Sequence, residues 1–275
     1  MSNNQLTISS KTLFHFTDKI ENVINILETE FRPHFCLEDL NIIIPDLSSR
    51  PEFELAIPMI CFCDIPLSQA RVHMKTYGEY GIGLSKEWGK QNKISPVLYV
   101  HENSAITFGF RKMLEKVLDL FLSDNVHFDI KPTNIITNIK DIANVFDELE
   151  WIMSFIKPYE GKLWRNGKYT SNNIRFYDER EWRFVPKLPE DFLPRRLTKA
   201  EYSDQKQEDS ANQKLKEITA LKFEPSDIKY IIVSNESEII PIIDEIKRIK
   251  SKYNQDQIKL LCSRVISSEQ ILEDF

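Results

Sequence analysis

The chain has 275 residues, 41% of them apolar, which suffices for one large domain, or one domain and a small appendage, and argues against global disorder. Its net charge of −6 lacks the basic excess of a global nucleic-acid binder, though it leaves room for a local basic groove. No apolar run approaches the roughly 18 residues needed to span a bilayer. The start, Met1-Ser2-Asn3-Asn4-Gln5, has neither a basic n-region nor an apolar h-region, so a cytoplasmic protein without a membrane partner is expected.

The first predicted element is a strand from Thr12 to Phe16, followed by a helix. Asp18 with Glu21 three positions later is a capping-box-like start, with Thr17 as an alternative cap, and Ile20, Val23, Ile24 and Leu27 form one apolar face. A Ser/Pro-containing stretch from Pro45 to Pro51 precedes a buried strand from Ala56 to Ile65, which Pro66 helps to end. Cys61 and Cys63 alternate along that strand; with Cys36 and Cys262 they are too few and too scattered for a disulfide framework and read as free thiols. Residues 67–80 predict a short helix that runs through Tyr77-Gly78-Glu79-Tyr80-Gly81 into a strand, Ile82 to Ser85. Four of the seven glycines fall between residues 78 and 89, which implies unusual backbone angles or close approach of a ligand or another strand.

Pro96 to Val100 is a further strand, and Phe110 to Leu122 and Asp141 to Ile156 carry helical apolar spacing, separated by a polar loop or lid from Phe128 to Asn138. Residues 200–217 are rich in Gln, Glu, Asp, Lys and Ser and predict an exposed loop, a linker or a solvated helix. The remainder reads as strands Ile218 to Phe223 and Ile228 to Ser234, a helix Ser237 to Tyr253, a strand Ile258 to Cys262 and a short terminal helix. There is no internal repeat. The order predicts a single α+β domain over residues 1–275 with a helical insertion around 105–160.

Two positions stand out chemically. In Glu179 to Phe184, strand alternation puts Trp182 and Phe184 on one face and Glu181 and Arg183 on the other. Glu181 could then face a cleft, where a carboxylate stabilises developing positive charge, but spacing alone favours an exposed Glu–Arg pair. His15, between Phe14 and Phe16, reads by itself as a satisfied structural residue. None of His15, His34, His73, His101 and His127 has metal-ligand spacing. Phosphate-loop, dinucleotide and nucleophile-elbow patterns are missing as well.

Leu13 to Thr17, Ile57 to Ser68, Tyr77 to Trp88 and Glu181-Trp182-Arg183 together resemble the AbiGi abortive phage-resistance family. That family is described as the antitoxin of a two-gene abortive-infection system, so the resemblance implies a toxin partner from the same operon. More distantly, Phe14-His15-Phe16-Thr17 with Ile20 to Leu27 is similar to the start of DarT-like DNA ADP-ribosyltransferases. That second resemblance implies a split β-sheet core of ADP-ribosyltransferase type and NAD as cofactor. It also implies a nucleic-acid or protein acceptor. His15 would then bind the ribose hydroxyls with Thr17 beside it, and Tyr77 or Tyr80 would stack on nicotinamide. Arg71 would stand in for a family arginine, and Glu181 would orient the ribose and offset the charge left when nicotinamide departs.

Overall fold

A computed structural model describes residues 9–44, 53–122, 148–165, 167–189 and 191–274. The expected Pro45–Pro51 stretch and Phe128–Asn138 loop, and most of the helix expected from Asp141, lie outside these residues.

The chain opens with strand β1 (Thr12–Thr17), helix α1 (Ile20–Thr29) and strand β2 (His34–Asp39). Then come β3 (Glu54–Cys63), α2 (Ala70–Tyr77), β4 (Tyr80–Ser85) and α3 (Lys86–Gln91). Short strands β5 (Ser95–Pro96) and β6 (Leu98–Val100) lead to α4 (Ala105–Leu122) and to α5, residues 148–153. Next are β7 (Ile156–Pro158), the small hairpin β8 (Trp164–Arg165) and β9 (Lys168–Tyr169), and β10 (Glu181–Phe184). The chain ends through β11 (Leu197–Thr198), α6 (Lys199–Ser203), α7 (Gln205–Ile218) and β12 (Ile228–Val233), then α8 (Ile239–Ile249), α9 (Gln255–Cys262), β13 (Val265–Ser267) and α10 (Ser268–Asp274).

This is an α+β fold built on a nine-stranded mixed sheet ordered β13-β12-β4-β1-β3-β10-β5, with β2 and β11 also pairing β3. The ten-residue β3 is the spine. Its first half pairs with β2 (Cys36 opposite Ile57) and β11, its second half with β10 (Glu181 opposite Cys63) and, through Phe14 opposite Cys63, with β1. Period-two alternation along β3 therefore decides what each face of the sheet buries. Ile60 and Phe62 point into a core with Leu13, Ile82 and Leu84, covered by Val23 and Leu27 of α1, Trp88 of α3, and Ile242 and Ile246 of α8. On the other face, Cys63 joins Phe14, Phe16, Ala70 and Met74, while Leu55 and Ile57 back a second cluster containing Leu114, Val117, Leu149 and Met153.

Several sequence expectations are corrected. Helix α1 has Lys19 at its N-cap without a side-chain bond, so neither Asp18 nor Thr17 caps it; the Thr17 hydroxyl instead accepts from Asn22 Nδ2 at 2.6 Å. Residues expected as a strand from Ile218 to Phe223 make only an isolated bridge, Leu221 with Phe31. The expected strand Ile258–Cys262 is helix α9, capped by Asn254 and Gln257, with Ile258 and Leu261 buried at helical spacing. The strand in that region is β13, which pairs parallel to β12. Residues 199–218 resolve into two helices, α7 burying Ala211, Asn212 and Leu215.

Candidate functional site

The polar residues of greatest interest lie between the two apolar clusters on the Cys63 face of the sheet. β10 begins just after Arg180, whose left-handed φ of 45° turns the chain out of a 3-10 turn over Phe176–Glu179 and into the strand. The turn delivers Glu179, and the strand delivers Glu181 and Arg183 two residues apart on one face, while Trp182 and Phe184 pack against the opposite core. The alternation expected from sequence is thus present. The expected exposure is not: Glu181 is 5% exposed and Arg183, at 0%, heads the fully buried side chains by volume.

Burying these charges is tolerable only because they are paired. Arg183 Nε meets Glu181 Oε1 at 2.5 Å and its Nη2 meets Glu38 Oε1 on β2 at 2.7 Å, while Nη1 donates to the Ser154 carbonyl at 2.8 Å. Lys157 Nζ on β7 donates to Glu181 Oε2 and to Glu179 Oε2, each at 2.7 Å, and lies 4.7 Å above the Phe176 ring. The Tyr77 hydroxyl of α2 donates to Glu179 Oε1, and the Glu181 backbone N–H donates to the Tyr99 hydroxyl at 2.8 Å. The result is one chain of alternating charge, Glu38–Arg183–Glu181–Lys157–Glu179, closed at its far end by Tyr77.

The electrostatics follow from this geometry. Burial alone would raise the Glu181 carboxyl, but Arg183 and Lys157 outweigh it and hold it well below the usual carboxylate range. Burial works against the charged forms of Lys157 and Arg183, yet the neighbouring carboxylates push both well upward, Glu181 most strongly. Glu38 goes the other way: desolvation dominates over Arg183 and lifts its carboxyl. Burial likewise lifts the Tyr77 hydroxyl, reinforced by Glu179.

The other expected site residues are dispersed. His15 lies on the opposite face from Glu181, its ring 5.3 Å from Phe31 and 5.8 Å from Phe62, with Nδ1 bonded to the Cys61 carbonyl at 2.8 Å. There burial lowers its pKa and keeps the ring neutral. Thr17 and Tyr80 are opposite one another in the β1–β4 ladder and belong to His15's face, and the Tyr80 hydroxyl donates to Glu238 at 3.0 Å. Exposed Arg71 donates to the Leu272 carbonyl of α10. Of the expected set, only Tyr77 is joined to Glu181, through Glu179 and Lys157.

Sequence reasoning missed Glu38, Lys157 and Glu179, which come from three separate stretches of chain. The one local hint was the Glu-x-Glu-x-Arg alternation over residues 179–183. The glycine crowding has a plain cause: Gly81 and Gly83 lie under the Phe16 and Phe14 rings of β1, so a neighbouring strand makes the close approach.

A family profile described as "Putative abortive phage resistance protein AbiGi, antitoxin" matches residues 17–234. The "Abortive phage resistance protein AbiGi" of Lactococcus lactis subsp. cremoris is 31% identical over 261 residues, covering 89% of this chain and 99% of that protein. No solved structure matches.

Proposed function

The chain belongs to the AbiGi abortive phage-resistance family, and from that premise we propose that it is the antitoxin of a two-gene abortive-infection system, acting by binding a partner toxin encoded in the same operon. The observation that carries this reading is the saturation of Glu181. Both its carboxylate oxygens are taken up by Arg183 and Lys157, which suits a residue that holds strands together under a binding surface. A binding role asks nothing more of that carboxylate.

A second reading, an ADP-ribosyltransferase-like fold with NAD as cofactor and a nucleic-acid or protein acceptor, draws on Tyr77 and Glu181 lying in one connected chain. It needs Glu181 to leave its two cations and needs His15 to reach the other face of the sheet. The binding reading needs neither movement, so it takes precedence.

Co-expression separates the two. The neighbouring gene, expressed alone, is expected to arrest growth, and this chain is expected to restore growth and co-purify with its product. Rescue is expected to survive His15→Ala and Tyr80→Phe. Failure to rescue or to form a complex overturns the antitoxin role. Transfer of label from NAD that disappears in Glu181→Ala would establish the transferase instead.

A further inference from the structure

The alternating charge chain has two ends, and they are finished differently. At one, Glu179 receives the Tyr77 hydroxyl and the series closes. At the other, Glu38 has only its Oε1 engaged, by Arg183, and Oε2 has no hydrogen-bond partner among the described residues. Yet Glu38 is 9% exposed, and no buried side-chain nitrogen or oxygen of the described residues lacks a partner. The free oxygen must therefore meet the small opening that Glu38 retains. Glu38 also lines a cavity of about 490 Å³, together with Lys157, Arg111, Trp164, Tyr169 and Phe176.

The size falls in the range of small-molecule sites, about 300–1,000 Å³. Its charged lining is acidic by one, Glu38, Asp39, Glu102 and Glu160 against Lys157, Arg111 and Lys162, and Glu38 itself ends a buried series of three carboxylates and two cations. Its wall is aromatic. Trp164 and Tyr169 face each other edge-on across the β8–β9 hairpin at 4.9 Å, and this ring pair already hosts one cation, the Lys199 ammonium, 4.9 and 4.8 Å from the two centroids. A carboxylate at the base of an aromatic wall is the arrangement that holds an organic cation, through a charge-assisted hydrogen bond and cation–π attraction together.

We propose that this cavity binds a guanidinium or primary ammonium group on an apolar stem, with Glu38 Oε2 accepting its N–H and the Trp164–Tyr169 pair covering the stem. The bound cation becomes the next member of the series and brings carboxylates and cations to equal number. None of His15, Thr17, Arg71, Tyr77, Tyr80 and Glu181 lines this cavity, and the site does not depend on the antitoxin role.

The test is calorimetric titration of the full-length protein at neutral pH with agmatine, with N-acetyl-arginine-N-methylamide and with neutral butylurea. Saturable binding of at least one guanidinium compound is expected, at least about tenfold tighter than butylurea. Preference for agmatine identifies a free small molecule as the source, and preference for the capped arginine identifies a protein side chain. Glu38→Gln should abolish binding; because Glu38 also pairs Arg183, the rim variants Trp164→Ala and Tyr169→Ala supply a second arm, each expected to weaken binding about fivefold or more. No saturable binding by either guanidinium compound, equal binding of butylurea, or indifference to the rim variants overturns the proposal.

Discussion

Arg183 illustrates how a single residue can be decisive without being catalytic. Its guanidinium spends its donors on Glu181, Glu38 and the Ser154 carbonyl, so removing it leaves two carboxylates buried and short of a cation. Arg183→Met is expected to cost about 3–5 kcal/mol, measured as a shift in the urea unfolding midpoint at constant slope; a cost below about 1 kcal/mol would mean that the series is not a keystone. The series also carries a pH signature. Glu181 is depressed in the folded state, so its contribution is complete above the ordinary carboxylate value of 4.5 and is lost as pH falls through its folded value. His73 acts at higher pH. Burial, aided by Lys157, lowers its pKa from 6.5 to about 4 against the partial opposition of Glu181, and its ring packs 4.5 Å from Tyr77. Between those values the unfolded chain binds a proton that the folded chain refuses, so stability falls as pH drops from 6.5 to 4. The gap corresponds to about 3 kcal/mol, and His73→Gln is expected to flatten that part of the stability profile. An unchanged profile would remove His73 as its source.

At the scale of elements, the turn from α2 into β4 is a tightly constrained join. Gly78 closes α2 at φ +118° with its N–H bonded to the Met74 carbonyl, and a Cβ there would collide with the Thr17 carbonyl of β1. Gly78→Ala is therefore expected to destabilise by about 2 kcal/mol or more, since it adds strain in the left-handed region to a backbone clash; thermal unfolding checks it. The elements readable from sequence were those with a strong local signal: β1, α1, β3, β4, α4, β12 and α8 arise where apolar period and breakers agree. Those misread share a different physics. Ile258 to Cys262 is a short apolar run that suits strand or helix equally, and the Asn254 capping box tips it to helix. Ile218 to Phe223 has strand-like composition, but among the described residues the only β-bridge it makes is Leu221 with Phe31.

At the scale of the molecule, the last elements are structural members of the sheet. β13 pairs parallel to β12, and Ile258, Leu261 and Ile271 are all at most 4% exposed. Deleting residues 255–275 removes three buried aliphatic side chains, each worth roughly 2–5 kcal/mol. Their sum is comparable with the roughly 5–15 kcal/mol that holds a typical domain folded. The truncated chain is expected to lose cooperative unfolding by circular dichroism, and retention of a sharp transition would show that the sheet is complete without β13. No helix among the described residues is long and apolar enough to cross a membrane. The sequence by itself determined the α+β class, the buried strands and the family resemblance, because periodicity and short motifs are local and survive without coordinates. It also determined that Glu181 and Arg183 share a face opposite Trp182. Only the tertiary structure decided that this face is buried, that His15 and Tyr80 lie on the other one, and that Glu38, Lys157 and Glu179 complete the series. Those facts depend on which strands flank β3 and on what packs above them, and pairings between residues as distant as Glu38 and Arg183 leave no trace in local spacing.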